Sequence, residues 1–309
     1  MIYTVTLNPA IDKTVVIENL HPGGVNRILS SREDAGGKGI NVSKCLKNLG
    51  QESVAAMILA GQTGKRLDAM LKEMKIHILP IHADGENRTN LKIIDPVREE
   101  NTDINETGPR IDMELLEQLK KRLGYSVAKG DIVVLSGSLP KGTPTELYAD
   151  WAKYFGKLGA CVYVDADGVP MQKALTAIPY MIKPNNEELA ALLDKERLTR
   201  EEMVTEGLHL HEMGIAEVVI SLGGDGAIFI SRDGVFQAEG LQVSVKSTVG
   251  AGDSMVAAMA FAQARNLSRE ETIRLAVAMG AASVMQSGSQ PPEAELVWEL
   301  AKQVRLEKL

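Results

Sequence analysis

Short apolar, β-branched runs alternate along this chain with stretches of helical periodicity. IYTVTL (2–7), SVAAMILAG (53–61), DIVVLSG (131–137), CVYVDA (161–166) and YMIKPN (180–185) are nearly continuous apolar runs of strand length. Helical patterns cover 40–49, 64–74 and 144–157, and another follows residue 185. EVVISLG (217–223) and GAIFIS (226–231) predict a strand pair across a tight GGDG turn. Three helical patterns near 251–265, 269–286 and 293–304 close the chain. Strands without polar alternation are buried on both faces, so the pattern predicts an α/β fold, a doubly wound, mostly parallel sheet flanked by helices. Ligands of such sheets bind beyond the carboxyl ends of the strands. GSLP, DADG, KPNNEE and GGDG each stand just past such an end.

Two stretches break the alternation. Lys13 to Arg32 and Arg88 to Asn105 are polar, β-leaning and without helical period. They predict short strands outside the main sheet, a small β-sheet lid formed by discontinuous segments about 13–32 and 88–106 on a single domain spanning 1–309. A lid gates water and completes a site. A pair of long loops is the plainer alternative, but loops of that length are uncommon.

Composition narrows the class. The chain is 44% apolar and 24% charged, as in ordinary globular proteins, and its net charge of −7 argues against nucleic-acid partners while permitting a local basic pocket. No apolar run approaches the ~20 residues that span a bilayer, so no membrane partner is expected. The first residues read as a strand, not as a signal peptide. Cys45 and Cys161 form no ligand cluster, and a reduced, cytoplasmic setting is expected. His209 and His211 stand two apart in a helical stretch and face different ways, which suits surface or packing roles better than metal binding.

The candidate chemistry begins with TVGAGDSMVAAMAFAQA (248–264), an apolar helix that opens on Gly250, Ala251, Gly252 and Asp253. Glycines at a helix start let backbone N–H groups approach an anion, and the helix end adds partial positive charge. Asp253 then reads as a general base beside an anion hole, a division of labour suited to phosphoryl transfer. An ordinary capping acid is the alternative. AGGKGINVS (35–43) fits neither the GxxxxGK[ST] loop nor the GxGxxG fingerprint. Its Gly37 and Gly39 could touch a sugar, Lys38 a phosphate and Asn41 a hydroxyl, or the stretch is a hinge. In KPNNEEL (183–189), Asn185 and Glu188 share a face and suit a Mg²⁺–water–phosphate network; a capping box reads equally well. SLGGDGA (221–227) could cover nucleotide phosphates, although a plain hairpin is favoured on that stretch alone. Asp12 could accept from sugar hydroxyls, and Arg27, Arg88 and Lys38 are basic residues of the expected lid.

In order along almost the whole chain, TLNPAID, AGGKGINVS, SGSLPKG (136–142), IKPNNEEL (182–189), VVISLGGDGA (218–227) and STVGAGDSM (247–255) resemble the ribokinase-like sugar kinases, specifically the phosphofructokinase-B family. TLNPAID with GGVNR, AGGKGIN and TDINETGP looks most like members acting on fructose 1-phosphate, and those acting on tagatose 6-phosphate are similar. The resemblance implies ATP-dependent phosphorylation of a ketohexose phosphate, with D-fructose 1-phosphate ahead of tagatose 6-phosphate and fructose 6-phosphate. It implies Asp253 as base and Gly250, Ala251 and Gly252 as anion hole. It implies Asp12, Gly37, Lys38, Asn41, Arg88, Asn105 and Ser138 around the phosphosugar. Lys183, Asn185, Ser221, Gly223, Gly226 and Thr248 would meet ATP, and Asn185 and Glu188 would organise Mg²⁺ through water and phosphate. Arg27 would reach a neighbouring subunit in a homodimer joined through the lids, and a monovalent cation would sit near Ser247, Val249 and Gln286. DADG (165–168) departs from the family pattern D-[ST]-[SG]-G at Ala166 and Asp167, and NTDINETGP departs at Asn101 and Asp103.

Overall fold

The computed structural model describes residues 1–309. In chain order the elements are β1 (Ile2–Thr6), β2 (Ala10–Val16), β3 (Ser30–Gly36), α1 (Lys38–Asn48), β4 (Val54–Ala60), α2 (Gly61–Glu73), β5 (His77–Ala83), β6 (Arg88–Asp95), β7 (Glu100–Asn105) and α3 (Met113–Gly124). They continue with β8 (Ile132–Ser136), α4 (Leu147–Lys157), β9 (Cys161–Asp165), α5 (Gly168–Leu175), β10 (Met181–Ile182), α6 (Asn186–Leu192), α7 (Arg200–Glu212), β11 (Glu217–Ser221), β12 (Gly226–Ser231) and β13 (Gly234–Glu239). Helices α8 (Ala251–Arg265), α9 (Arg269–Val284) and α10 (Ala294–Ala301) precede a short β14 (Leu306–Lys308).

A ten-stranded sheet runs β14-β13-β12-β11-β10-β9-β8-β1-β4-β5. It is parallel from β5 to β11 and antiparallel from β11 to β14. Alternate residues of the central strands feed two cores. Val5, Val133, Val162 and Val218 pack with α3 to α7, whereas Ile2, Val134, Tyr163 and Val219 pack with α1, α8, α9 and α10. Helix α8 is buried on nearly every side from Asp253 to Ala262, which explains why its sequence lacks a polar stripe.

A second, four-stranded sheet has the order β3-β2-β6-β7 and draws on residues 10–36 and 88–105. Its strands are more polar because they bury few apolar side chains: Val15 and Ile93 pack with Ile17 in a small cluster, and Ile11 and Ala35 join the core under α1 and α2.

Some boundaries differ from expectation. The strand expected over 180–185 shrinks to Met181–Ile182, because Pro184 has no N–H for the ladder and Asn185 already caps α6. The GGDG turn is a single 3₁₀ turn over Gly223–Asp225 between antiparallel β11 and β12. Strands β5, β13 and β14 and helices α3 and α5 lie outside the elements that the pattern predicts. β5 contains Pro80, tolerated because β5 is the sheet edge. No helix is long and apolar enough to cross a membrane.

Candidate active site

Helix α8 aims its first turn into the main cavity, past the carboxyl ends of the parallel strands. Its cap, Gly250, takes a left-handed backbone (φ 81°), which a side chain would strain. Three residues on, the Asp253 carboxylate is only 6% exposed. Asn41, in the first turn of α1, donates its Nδ2 to Asp253 Oδ2 at 2.9 Å. Burial, then repulsion from Asp165, pushes the Asp253 pKa up to about 6, against the Asn41 hydrogen bond and the charges of Lys38 and Lys183. A carboxylate poised there is a base that is ionised at neutral pH yet basic enough to take a proton. We therefore expect kcat to fall on acidification through about pH 6. An acid limb at the ordinary carboxylate pKa, measured in a pH–rate profile, would contradict this environment.

Near Asp253 lies a cluster of paired charges. Asp165, at the end of β9, is 2% exposed, and Lys38 and Lys183 each approach it to 3.6 Å. Lys38 also donates to Asp167 Oδ1 at 3.0 Å. Burial works to lower the Lys38 pKa, but Asp165, Asp167 and Asp253 outweigh it and raise it, so the ammonium is permanent. The departure at DADG is thus structurally placed: Ala166 is buried and Asp167 holds Lys38.

On the second sheet, Asp12 accepts from Asn90 Nδ2 at 2.9 Å. Burial raises its pKa, opposed by Asn90, Lys44 and Arg88. Arg88 donates Nε to the Asn8 carbonyl at 3.1 Å and Nη1 to the Glu106 carbonyl at 3.4 Å, and it pairs closely with no carboxylate. A part-buried guanidinium without a counter-ion is a ready anion site.

These groups surround a cavity of about 790 Å³. Asp12, Gly37, Lys38, Asn41, Arg88, Asn105, Lys183, Asn185, Glu188, Ser221, Gly223, Gly226, Thr248, Gly250, Ala251, Gly252 and Asp253 all line it. A smaller cavity of about 240 Å³ adjoins through Gly37, Lys38 and Arg88 and has no hydrophobic lining. Ser138 lies there, beside the buried Thr6 Oγ1, Asn8 Oδ1 and Ser136 Oγ, none of which has a partner. Buried polar atoms are normally paired, so their open valences suit a polar ligand. Arg27 lines neither cavity and is exposed.

The Asn185–Glu188 pair forms a full capping box: Asn185 Oδ1 accepts from the Glu188 N–H at 2.7 Å, and Glu188 Oε2 accepts from the Asn185 N–H at 2.9 Å. The box holds both side chains at the cavity wall, and burial raises the Glu188 pKa. Sequence reasoning missed the apolar end of the main cavity, where Leu241, Val243, Val245, Val277, Ala281 and Val284 form a slot. It also missed Asn90 and Thr14, and it reached Asp165 only as part of DADG, without a role. No cluster of His, Cys, Asp or Glu has metal-ligand geometry; His209 pairs with Glu206, and His211 Nδ1 meets the Ile215 carbonyl.

A buried carboxylate at a helix N-terminus, a guanidinium without a counter-ion and an apolar slot share one cleft, an arrangement suited to a phosphotransferase with an alcohol acceptor. Residues 5–296 match the pfkB family carbohydrate kinases, and the chain belongs to that family. It is 38% identical to the 1-phosphofructokinase of Xanthomonas campestris pv. campestris over 89% of this chain and 88% of that one. It is 35% identical to the 1-phosphofructokinase of Bacillus subtilis over the full length of both. Among solved structures, Escherichia coli phosphofructokinase-2 in complex with fructose-6-phosphate superposes with a TM-score of 0.91 at 29% identity, covering 98% of each chain. That protein has also been solved in complex with potassium and in a tetrameric inhibited form.

Proposed function

We propose that this chain transfers a phosphoryl group from ATP to D-fructose 1-phosphate, forming D-fructose 1,6-bisphosphate. The observation that carries the reading is that a single cavity joins the poised Asp253 to the unpaired Arg88, with Asp12 and Asn41 also in its wall. The two 1-phosphofructokinases aligned over most of their length support the choice of sugar.

Asp253 accepts the C6 hydroxyl proton as that oxygen bonds the γ-phosphorus. The bond from the γ-phosphorus to the bridging oxygen breaks, and ADP leaves. The N–H groups of Gly250, Ala251 and Gly252 hold the charge that develops on the phosphoryl oxygens. Asp12, Asn41 and Gly37 orient the hydroxyls. Arg88 grips the existing phosphate, with Ser138 and Lys38 facing the same polar pocket and Asn105 on the wall of the main cavity. Ser221, Gly223, Gly226, Thr248 and Lys183 meet the nucleotide phosphates, and the apolar slot takes the adenine. Mg²⁺ fits the donor set of Asn185 and Glu188, which is oxygen-bearing, partly buried and too sparse for a cation without waters or phosphates. When bound it neutralises phosphate charge. A monovalent cation is assigned to the meeting of the loops around Ser247, Val249 and Gln286, where the Lys246 and Ser247 N–H groups reach the Val284 carbonyl. Activity in K⁺ against tetramethylammonium tests it.

The deciding experiment compares kcat/KM for fructose 1-phosphate, fructose 6-phosphate, tagatose 6-phosphate and ribose. Preference for either 6-phosphate reassigns the sugar, and preference for ribose overturns the phosphosugar pocket.

The second sheet is read as a lid that also joins two copies into a homodimer. Val25 (91% exposed) and Leu29 (60%), in the connection from β2 to β3, and Ile104 (52%) on β7 leave apolar area uncovered at this sheet. Arg27, beside Val25, would then enter the other copy's site. Leu29→Asp combined with Ile104→Asp is expected to shift the mass in sedimentation from dimer to monomer and to weaken fructose 1-phosphate binding. A wild-type monomer would refute the assembly.

A further inference from the structure

Lys44 has no part in the mechanism above, yet its side chain is only 3% exposed. It lies on α1 one turn past Asn41. Its ammonium donates to the Ala35 carbonyl at 2.8 Å and to Ser289 Oγ at 3.3 Å. It takes part in no ion pair within 4.0 Å. An enclosed ammonium with no close counter-ion is costly, and burial does lower its pKa. The opposing charges come from different elements: Asp34 on β3, Asp12 on β2 and Asp253 on α8, while burial pushes the neighbouring Cys45 thiol up to about 11 and keeps it neutral. Asp34 is already engaged by Arg32, through Nε at 2.9 Å and Nη2 at 2.6 Å. Asp12 has only the neutral Asn90 as hydrogen-bond partner, with Arg88 and Lys44 as the cations acting on it and Asp34 as the opposing anion.

The backbone ties the two together. Ala35, whose carbonyl Lys44 holds, precedes Gly36, and a Cβ on Gly36 would lie 2.1 Å from Asp12 Oδ2. The Asp12 carboxylate therefore rests on the bare Gly36 backbone, and Gly37 follows into the cavity. At the other end, Ser289 and Gly288 line the same cavity. Arg32 donates to the Ser287 carbonyl, a second link from β3 to this loop.

We propose that Lys44 is a positioning residue for the sugar: it locks the Ala35–Gly37 backbone to the 286–290 loop and lends its charge to Asp12 from behind. The proposal rests on the assignment of Asp12 to the sugar. Its test is a kinetic comparison of wild type, Lys44→Met, Lys44→Arg and Asp12→Asn with fructose 1-phosphate and ATP. Lys44→Met should raise the KM for the phosphosugar about tenfold while the KM for ATP stays within about twofold. It should also move the acid limb of kcat/KM for the sugar to higher pH, because Asp12 loses a cation that favours its ionised form. Lys44→Arg should restore most of both. A purely structural lysine would neither split the two KM values nor move the limb.

Unchanged sugar KM and acid limb in Lys44→Met overturn the proposal. Should Lys44→Met fail to fold, Ser289→Ala cuts the same link without touching a charge. A rise of about threefold in sugar KM supports the proposal, and no rise overturns it. An Asp12→Asn variant with unaltered sugar KM, or a wild type inactive on fructose 1-phosphate, refutes the assignment of the site instead.

Discussion

Asp253→Asn should lower kcat by about 10³-fold while raising the thermal midpoint at neutral pH. The rate loss is the usual range for a general base, about 10² to 10⁴. The gain in stability follows from the same burial. The folded-state pKa is raised from 3.8 to about 6, so the folded protein holds this proton more tightly than the unfolded chain. The ionised carboxylate therefore opposes folding above about pH 6, and nothing is lost below about pH 4, where both states are protonated. The stability tied to this group declines as pH rises between those limits. A shift of about two units corresponds to on the order of 3 kcal/mol. An asparagine carries no such cost, and its amide could donate to Asn41 Oδ1, which has no partner in the wild type. Melting curves of both proteins at pH 7 and pH 4 should diverge at the first and converge at the second. Retained turnover would remove Asp253 from the mechanism. A variant less stable at pH 7 would refute the strained environment.

Arg88→Met should raise the KM for fructose 1-phosphate by about 10- to 100-fold with a smaller change in kcat. Charge-assisted hydrogen bonds contribute about 1.5–3 kcal/mol, which sets that range. Arg88 also bonds the Asn8 and Glu106 carbonyls, so part of any loss is local disorder. Unphosphorylated fructose separates the two. If Arg88 grips the phosphate, the variant loses discrimination between fructose 1-phosphate and fructose; if it only braces the loop, both substrates suffer alike. Arg88→Lys should recover part of the effect, since an ammonium is a point charge without the guanidinium fork.

Most of the main sheet was legible because its strands are buried on both faces and therefore apolar without interruption, as in VVLS and VYVD. β5 was not, since HILPIHA mixes histidines and a proline, as an edge strand can. Helix α3 carries Leu116, Leu119 and Leu123 at helical spacing, a signal present in the sequence itself. The GAGD segment could be placed at a cavity because glycines and an acid are out of place on an apolar helix. The apolar slot could not. Val277 and Val284 look like any core valine, and only tertiary packing turns one side of α9 toward the cleft. Lys44 likewise reads as solvated surface until β3 and the 286–290 loop are laid over it. For Asn185 and Glu188 the structure holds the capping box, and that box places the pair in the cavity wall.

The bond from Asn41 to Asp253 spans 212 positions of sequence. On the roles proposed above, synthesis from the amino end delivers the sugar-facing Asp12, Lys38 and Arg88 long before the base. A chain ending before α8 then has no Asp253 to accept the hydroxyl proton, and transfer waits until the segment 251–309 has docked.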